Sequence, residues 1–184
     1  MSHTILIVGA SRGIGAELAR QFSTLPDYNI IATGRSSIPP ESSTNIRFIK
    51  LDQTSAESVA AASKGVEFVD ILVLNAAIGD EEYMETTSDE RLQEYLVSNV
   101  VGPHRVIREF LPALMRGSLK KIILVSSTSG SLANQVKGHQ GFAGPYSVSK
   151  AAGNMLVVQY QNELRQKGFC VAAVHPGWQQ TWEN

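Results

Sequence analysis

The chain has 184 residues, a formal net charge of -1 and a hydrophobic fraction of 43%. Its length fits one domain with a sizeable core, and its near-neutral charge gives no general attraction to nucleic acids or anionic membranes. The N-terminal apolar run, Ile5–Gly9, is too short for a signal peptide or a membrane span, so a cytoplasmic protein is expected.

Short apolar runs alternate along the chain with longer amphipathic stretches. The predicted strands are Thr4–Gly9, Asn29–Gly34, Ile46–Leu51, Val69–Asn75, Lys121–Ser126 and Phe169–His175. The predicted helices are Ile14–Thr24, Thr54–Lys64, Glu90–Met115 with a bend near Gly102-Pro103, and Pro145–Lys167. Strands that are apolar on both faces and separated by helices are typical of a parallel sheet covered on both sides. The pattern therefore predicts an α/β fold of the doubly wound Rossmann type, with about six strands and helices on both faces.

Local signals add detail to this outline. Capping-box patterns at Thr54–Glu57 and Thr87–Glu90 indicate the start of two helices. The segments Ser36–Asn45 and Gly130–Gly144 are predicted to be irregular connections. The single cysteine, Cys170, excludes an intrachain disulfide, and its apolar neighbours favour a buried core position.

A glycine-rich turn follows the first predicted strand and leads into the first predicted helix. Its glycines allow a sharp turn and the close approach of a pyrophosphate. The start of the helix offers free N–H groups at the positive end of the helix dipole. A turn of this kind without a ligand is the alternative, but its place between a strand and a helix favours a dinucleotide site. The predicted cofactor-binding residues of the turn are Gly9, Ser11, Arg12, Gly13, Ile14 and Gly15.

The end of the second predicted strand indicates which cofactor is used. In this fold an acidic residue there binds the ribose 2′-hydroxyl of NAD, whereas an arginine accommodates the 2′-phosphate of NADP. The strand ends in Thr33–Ser36, which contains Arg35 and no acid. Arg12 offers a second guanidinium, which is planar and always charged and therefore suits a phosphate. Each arginine alone is typical of a solvated surface, but the pair predicts NADP(H), and no metal site is predicted.

Tyr146 and Lys150 stand four positions apart, which places both side chains on one face of the last predicted helix. A phenol with a pKa of about 10 is a poor base near neutral pH. A neighbouring ammonium group and a positive nicotinamide ring would lower that pKa and favour proton exchange. An exposed tyrosine and lysine at this spacing are also common by chance.

Other polar or turn-forming positions accompany this pair in chain order. Asn75 ends the fourth predicted strand, Asn99 lies in the helix that follows, Ser126-Ser127 end the fifth strand, and Pro176-Gly177 follow the sixth. The carboxyl ends of parallel strands form the ligand crevice of this fold. Together with the glycine turn, this ordered set resembles the short-chain dehydrogenase/reductase family along essentially the whole chain. Residues 1–184 are accordingly expected to form a single dinucleotide-binding Rossmann domain.

Within that family, the sequence is most similar to the sniffer-type and C-factor-type carbonyl reductases. The segment Asn99–Pro103, the long separation between Ser127 and Tyr146, and the final Pro-Gly-Trp resemble theirs. The resemblance implies an enzyme that transfers hydride between NADP(H) and a small-molecule carbonyl or alcohol substrate.

The resemblance also implies a role for each catalytic candidate. Tyr146 would exchange a proton with the substrate oxygen, while Lys150 would lower its pKa and bind the nicotinamide ribose. Ser127, which precedes Gly130 by three positions as in the family pattern, would hold the substrate oxygen. Asn99 would help to bind a water chain that leads to Lys150. Further implied cofactor contacts are Asn75 and Ala76 along the cofactor, Asp52 at the adenine, and Pro176, Gly177 and Thr181 at the nicotinamide amide.

Two features depart from the family pattern. Ala77 replaces the glycine of the Asn-Ala-Gly motif, which is tolerated if the backbone φ there is negative. The chain also stops at Asn184, soon after the sixth predicted strand, where relatives continue with a substrate-covering loop, another helix and a seventh strand. A C-terminally truncated chain is therefore expected.

Alternatives to an active reductase follow from that expectation. The chain could be a catalytically weak or inactive dinucleotide-binding protein that acts as a sensor or as the partner of a full-length relative. A nucleotide-sugar epimerase fits less well, because those proteins carry a different glycine spacing. A homodimer through the helices Glu90–Met115 and Tyr146–Lys167 is expected by resemblance, whereas no nucleic-acid or membrane partner is.

Overall fold

The computed structural model describes residues 2–36, 44–138 and 141–177. The strands are β1 (His3–Val8), β2 (Tyr28–Gly34), β3 (Ile46–Lys50), β4 (Ile71–Leu74), β5 (Lys121–Val125) and β6 (Cys170–Val174). The helices are α1 (Gly13–Ser23), α2 (Ala56–Ser63), α3 (Asp89–Leu96), α4 (Gly102–Arg116), α5 (Leu132–Lys137) and α6 (Gly144–Leu164). A π-helical turn, Val97–Val101, joins α3 to α4, and short 3-10 helices cover Thr128–Gly130 and Arg165–Lys167. Within these ranges, no helix has the length and apolar character needed to cross a membrane.

The strands form one six-stranded sheet in the order β3-β2-β1-β4-β5-β6, and every neighbouring pair is parallel. β1 is central, since Ile5 pairs with Ile30 of β2 on one side and with Ile71 of β4 on the other. The strand order reverses between β1 and β4, which is where doubly wound sheets form their ligand crevice. The predicted α/β doubly wound fold is thereby confirmed.

Helices cover both faces of the sheet. Alternate residues along each strand therefore pack into two hydrophobic cores, one on each face. On one face, Leu6 packs in a cluster with Phe110 of α4 and Leu164 of α6. On the other face, Ile5 packs in a cluster with Ala19 of α1. Strands with apolar residues on both faces need this double cover, as the sequence pattern predicted.

The predicted core position of Cys170 is wrong, because its side chain is exposed. Along β6, Val171 enters the core that α6 shares, whereas Cys170 and Val174 face the opposite side of the sheet. β6 is the last strand of the sheet, and Val174 is 46% exposed there. An apolar run predicts a strand, but it does not say which of its two faces a helix covers.

Ser55 caps α2 and Ser88 caps α3. Each serine stands one residue after the threonine that opens the predicted capping box. Ser55 accepts a hydrogen bond from the N–H of Ser58 at 3.1 Å, and Ser88 caps α3 in the same way. Thr54 is not the cap because its hydroxyl donates to Oδ1 of Asp52 at 2.7 Å. Competition from a nearby carboxylate therefore decided which hydroxyl closes the helix.

The predicted connections are partly more regular than expected. The segment Gly130–Gly144 contains α5, which Ser131 caps by accepting the N–H of Asn134 at 3.4 Å. The predicted bend near Gly102-Pro103 is a π-helical turn that ends directly before Gly102. Most of Ser36–Asn45 lies outside the described residues.

Asp70 anchors the edge of the sheet that lies opposite the ligand crevice, directly before β4. Its Oδ1 accepts hydrogen bonds from the N–H and hydroxyl of Ser118 at 2.6 and 2.7 Å and from the N–H of Leu119 at 3.3 Å. Its Oδ2 accepts the N–H of Thr4 at 2.8 Å. Burial raises the pKa of Asp70, but these hydrogen bonds outweigh it and hold the pKa below its usual value.

We expect Asp70→Asn to lower the free energy of unfolding at pH 7 by about 2 to 4 kcal/mol, because its NH2 group would face N–H donors. The stabilisation by a carboxylate with a depressed pKa is present above the pKa of the unfolded chain and is lost as pH falls through the folded value. Urea unfolding between pH 3 and 7 should therefore show the two proteins converging in acid. Asp27→Asn, at an exposed carboxylate, is the matched control. A constant difference at all pH values would contradict this account.

Candidate active site

The turn after β1 is built from glycines that have no room for a side chain. Gly9 has a φ of +85°, and a Cβ there would lie 2.7 Å from the Cα of Ala76. A Cβ at Gly15 would overlap the carbonyl oxygen of Gly9. Asn75, directly after β4, donates its side-chain amide to that carbonyl at 2.7 Å. The turn is therefore fixed between the two central strands.

The first turn of α1 presents backbone donors without a side-chain cap. The helix begins at Gly13, whose φ is +59°, and Arg12 stands at the N-cap. Among the described residues, no capping hydrogen bond comes from the side chain of Arg12, and the first turn of the helix holds no acidic residue. Uncapped N–H groups at a helix N-terminus favour an anion, both through hydrogen bonds and through the helix dipole.

A cleft of about 300 Å³ opens beside this turn. Its walls combine the glycine turn, the ends of β2 and β3, and the segment after β4. The sequence-predicted residues among its lining are Gly9, Ser11, Arg12, Gly13, Arg35, Asp52, Asn75 and Ala76. Ile14 and Gly15 do not line the cleft, since Gly15 is buried in α1 behind the turn.

Two guanidinium groups stand at this cleft, on Arg12 and Arg35. Within the described ranges, neither has a carboxylate at ion-pair distance. Burial raises the pKa of Asp52, but hydrogen bonds from Thr54 and the charges of Arg35 and Arg105 outweigh it and lower the pKa. The glycine turn lets a ligand approach the backbone, the start of α1 offers uncapped N–H donors, and the two arginines offer positive charge. Together these features fit a phosphate-bearing dinucleotide.

The second part of the site lies where β5 ends and α6 begins. Tyr146 is in the first turn of α6, next to Pro145. The hydroxyl of Ser127 lies near enough to the Tyr146 hydroxyl to lower its pKa, and it donates a hydrogen bond to the hydroxyl of Ser129 at 3.1 Å. Ser126 is buried and donates to Oδ1 of Asn154 at 2.6 Å. Ser127, rather than its neighbour, therefore meets the tyrosine.

Burial raises the pKa of the Tyr146 hydroxyl in the protein alone, and the nearby hydroxyl of Ser127 offsets only part of that rise. The lowering expected from Lys150 together with a bound nicotinamide stays a prediction. The ammonium Nζ of Lys150 lies 5.4 Å from the centroid of the tyrosine ring and donates to the carbonyl oxygen of Val125 at 2.9 Å. In the protein alone, the ammonium is therefore held by β5 and not by the phenol oxygen.

The charged form of the Lys150 ammonium is destabilised by burial. Lys150 is 5% exposed, and burial lowers the pKa of its ammonium from the usual 10.5 to about 8. A buried ammonium that donates to a backbone carbonyl and not to a carboxylate within the described residues costs folding free energy, because water solvates the charge better. Its retention in the core indicates a function other than stability.

We expect Lys150→Met to raise the free energy of unfolding at pH 7 by about 1 to 2 kcal/mol while abolishing turnover, since the variant buries no charge. Between pH 8 and 10.5 the unfolded wild-type chain binds the proton more tightly than the folded one. Wild-type stability should therefore rise across this window and approach that of the variant. Thermal unfolding at pH 7 and 9.5 checks this, with the exposed Lys64→Met as control. A variant less stable than wild type at pH 7 would refute the argument.

The side-chain amide of Asn99 is engaged at both ends. Its Oδ1 accepts the N–H of Ile78 at 3.0 Å, and its Nδ2 donates to the Ile78 carbonyl and to the hydroxyl of Ser149, both at 2.9 Å. Asn99 thus ties the π-helical turn to the segment after β4 and to α6. The water chain toward Lys150 that the resemblance implies stays a prediction.

Gln53 is a site residue that sequence reasoning misses. Its Nε2 donates to the carbonyls of Ala76 and Ser98, both at 2.9 Å, and so joins the cleft wall to the π-helical turn. Its Oε1 is buried and, within the described part of the chain, has no hydrogen-bond partner. A glutamine after a strand carries no local signal for contacts so distant in sequence.

The remaining predicted positions lie near the end of the chain or in the Asn-Ala-Gly motif. Pro176 and Gly177 follow β6 at the same edge of the sheet, and Gly177 has a φ of +80°. Thr181 lies outside the described residues. Lys120 is the one non-glycine residue with a positive φ among those described, so Ala77 has the negative φ that its tolerance requires.

Residues 3–183 match the family model for short chain dehydrogenases. An uncharacterized oxidoreductase of Schizosaccharomyces pombe is 34% identical over 184 aligned residues, covering 94% of this chain and 71% of the relative. The C-signal protein of Myxococcus xanthus is 38% identical over 120 residues, covering 61% of this chain and 67% of that protein.

A solved structure, the NADPH-bound carbonyl reductase from chicken fatty liver, superposes with a TM-score of 0.87 at 26% identity, covering 98% of this chain and 77% of that one. The match extends over both the glycine-turn cleft and the Ser127–Tyr146 pair, because nearly the whole chain is aligned. With the family model matching almost every residue, the chain belongs to the short chain dehydrogenase family of oxidoreductases.

Proposed function

We propose that the protein is an NADP(H)-dependent oxidoreductase that transfers hydride between the nicotinamide and a carbonyl or alcohol substrate. The observation that carries this proposal is the position of Tyr146 and Lys150 one turn apart on α6, with the Lys150 Nζ 5.4 Å from the centroid of the tyrosine ring and Ser127 near enough to lower the pKa of the phenol. Ser127 follows β5, and Tyr146 and Lys150 lie on α6. The glycine-turn cleft lies at the same carboxyl edge of the sheet, where β1 and β4 end.

The proton chemistry falls to the residues of the chain. Ser127 would hold a substrate oxygen beside the phenol of Tyr146. Because burial raises the pKa of Tyr146, the phenol is protonated near neutral pH and is suited to donate its proton to an oxygen that gains charge. The bound nicotinamide supplies or accepts the hydride, and Lys150 is assigned to its ribose and to the tyrosine.

The choice of NADP(H) is supported by the charges at the cleft. Arg35 and Arg12 would pair with the 2′-phosphate, and the uncapped start of α1 would hold the pyrophosphate. The chicken carbonyl reductase, which shares the fold, binds NADPH. We assign further cofactor contacts as follows: Asp52 at the adenine, Asn75 and Ala76 along the cofactor, and Pro176, Gly177 and Thr181 at the nicotinamide amide.

The test has two stages. The purified chain is titrated with NADPH and with NADH, and nucleotide fluorescence reports binding. Oxidation of NADPH is then followed with a panel of aliphatic and aromatic aldehydes and ketones, with Tyr146→Phe as the background. Turnover above that background supports the reductase. Tight binding without turnover supports the alternative, a dinucleotide-binding protein, and binding of neither nucleotide to the folded chain refutes both.

We also propose that residues 1–184 form a single domain and that the protein assembles as a homodimer. Val148, Met155 and Val158 form an exposed apolar strip along α6, between 42% and 58% exposed, and Met115 at the end of α4 is 42% exposed. Exposed apolar side chains along neighbouring helices favour burial against a second copy. Light scattering at micromolar concentration distinguishes the dimer from a monomer.

A further inference from the structure

The ring of Tyr146 is enclosed by groups outside the predicted catalytic set. The rings of Phe142 and Tyr95 meet it edge-on, with centroids 5.5 and 6.5 Å away. The backbone of Gly79 also touches it, since a Cβ there would lie 2.7 Å from Cε2 of the ring. Tyr95 is fully buried, so its side of the enclosure is part of the packed interior.

Tyr95 is fixed through its hydroxyl. The hydroxyl donates to Oε1 of Glu82 at 2.9 Å and accepts the N–H of Asp80 at 3.1 Å. Arg91, one turn earlier on α3, donates from Nη2 to the same Oε1 at 2.6 Å, and its Cζ lies 4.7 Å from the centroid of the Tyr95 ring. Bonds to an ionised carboxylate are stronger than neutral ones, so this network holds residues 79–82, here called the 79–82 loop, against α3.

The 79–82 loop also touches the start of α6. The carboxylate of Glu81 accepts the N–H of Ala143 at 3.3 Å. Gly144 has a φ of +63°, and a Cβ there would overlap the carbonyl oxygen of Glu82. The loop backbone and the helix start therefore approach too closely for a side chain between them. We therefore expect a shift of the loop to move the first turn of α6, where Tyr146 lies.

We propose that Tyr95, Glu82 and Arg91 are positioning residues for Tyr146. They set the position of its ring through the direct contact of Tyr95, through Gly79, and through the start of α6. The proposal rests on the proposed function, in which Tyr146 is the acid–base. None of the three is proposed to touch substrate or cofactor.

Tyr95→Phe removes the hydroxyl and keeps the ring packing, and Glu82→Gln removes the charge at nearly constant shape. Displacement of a reacting group by about 1 Å can lower a rate about 100-fold, so we expect kcat to fall by about 5- to 100-fold in each variant. The Kd of NADPH should not change, because these residues do not line the glycine-turn cleft. Since burial raises the pKa of Tyr146, a loosened ring gains water and should titrate at lower pH.

The experiment compares wild type, both variants and a matched control, Tyr83→Phe, which removes the hydroxyl of a 67% exposed tyrosine in the adjoining segment. Three readouts are taken: kcat, the spectrophotometric titration of Tyr146 obtained by subtracting the same protein carrying Tyr146→Phe, and amide hydrogen exchange at residues 143–147. We expect faster exchange and a lower titration midpoint in Tyr95→Phe and Glu82→Gln, and wild-type values in Tyr83→Phe.

The titration and exchange readouts separate this proposal from the proposed function. If wild type reduces no carbonyl compound, the proposed function fails, yet both readouts still decide whether the network positions Tyr146. If Tyr95→Phe does not fold, Glu82→Gln carries the test. Wild-type exchange together with a wild-type Tyr146 titration in the folded variants would overturn the positioning proposal.

Discussion

Tyr146→Phe is expected to lower kcat/KM for carbonyl reduction by about 10²- to 10⁴-fold, the range that general acid–base catalysis contributes. The change removes one oxygen atom, which is the atom that would exchange the proton with substrate. The ring contacts with Phe142 and Tyr95 persist, so the fold and the Kd of NADPH should be unchanged. Stopped-flow or steady-state oxidation of NADPH, beside a binding titration, measures both quantities.

Tyr83→Phe serves as the control for this substitution as well, because the side chain of Tyr83 is 67% exposed. It should retain full turnover. If Tyr146→Phe kept wild-type kcat/KM while Tyr83→Phe did the same, another group would have to supply the proton. The assignment of the acid–base to α6 would then be withdrawn.

Arg35→Asp is expected to reverse the cofactor preference. Loss of a charge-assisted bond to a phosphate is worth about 1.5 to 3 kcal/mol, so the Kd of NADPH should rise about 10- to 150-fold. The new carboxylate repels the 2′-phosphate but can accept the 2′-hydroxyl of NADH, so the Kd of NADH should stay constant or fall. Fluorescence titration with both nucleotides at fixed ionic strength measures the ratio.

The matched control is Arg165→Asp, which makes the same change of charge at an exposed position beyond the far end of α6. It should leave both Kd values unaltered, because long-range charge effects are screened in salt. Equal weakening of NADPH and NADH by Arg35→Asp would mean that this arginine contacts a part common to both nucleotides, and the case for NADP(H) would lose its main support.

The sheet was predictable because its strands carry their own signal. β1, β2 and β4 are buried on both faces, so apolar runs alone locate them to within about two residues. It was less predictable which face of each strand a helix covers. Cys170 and Val174 have the composition of core residues, yet their exposure depends on which helix reaches the edge of the sheet. That is a tertiary property that no local window contains.

The residues of the candidate site also differ in how far the sequence alone predicts them. Gly9, Tyr146 and Lys150 belong to short motifs whose spacing has a direct geometric meaning, so the sequence placed them on the right elements. Gln53 donates to carbonyls 23 and 45 positions away, and the hydroxyl of Tyr95 donates to Glu82, 13 positions away. Such contacts leave no periodic pattern. The burial that raises the pKa of Tyr146 in the protein alone is likewise a property of the folded chain, which no local window contains.

The π-helical turn between α3 and α4 has a consequence for the length of this segment. A π turn holds one residue more than an α turn, and each residue of an α-helix rotates the next by about 100°. The extra residue in Val97–Val101 therefore rotates α4 about the helix axis relative to α3. As a result Tyr95, before the turn, faces Tyr146, whereas Val106 and Phe110, after it, face the sheet. Deleting one residue here would turn one half of the helix against the other by about a quarter of a circle. The number of residues in this turn, more than their chemistry, fixes the direction in which Tyr95 points.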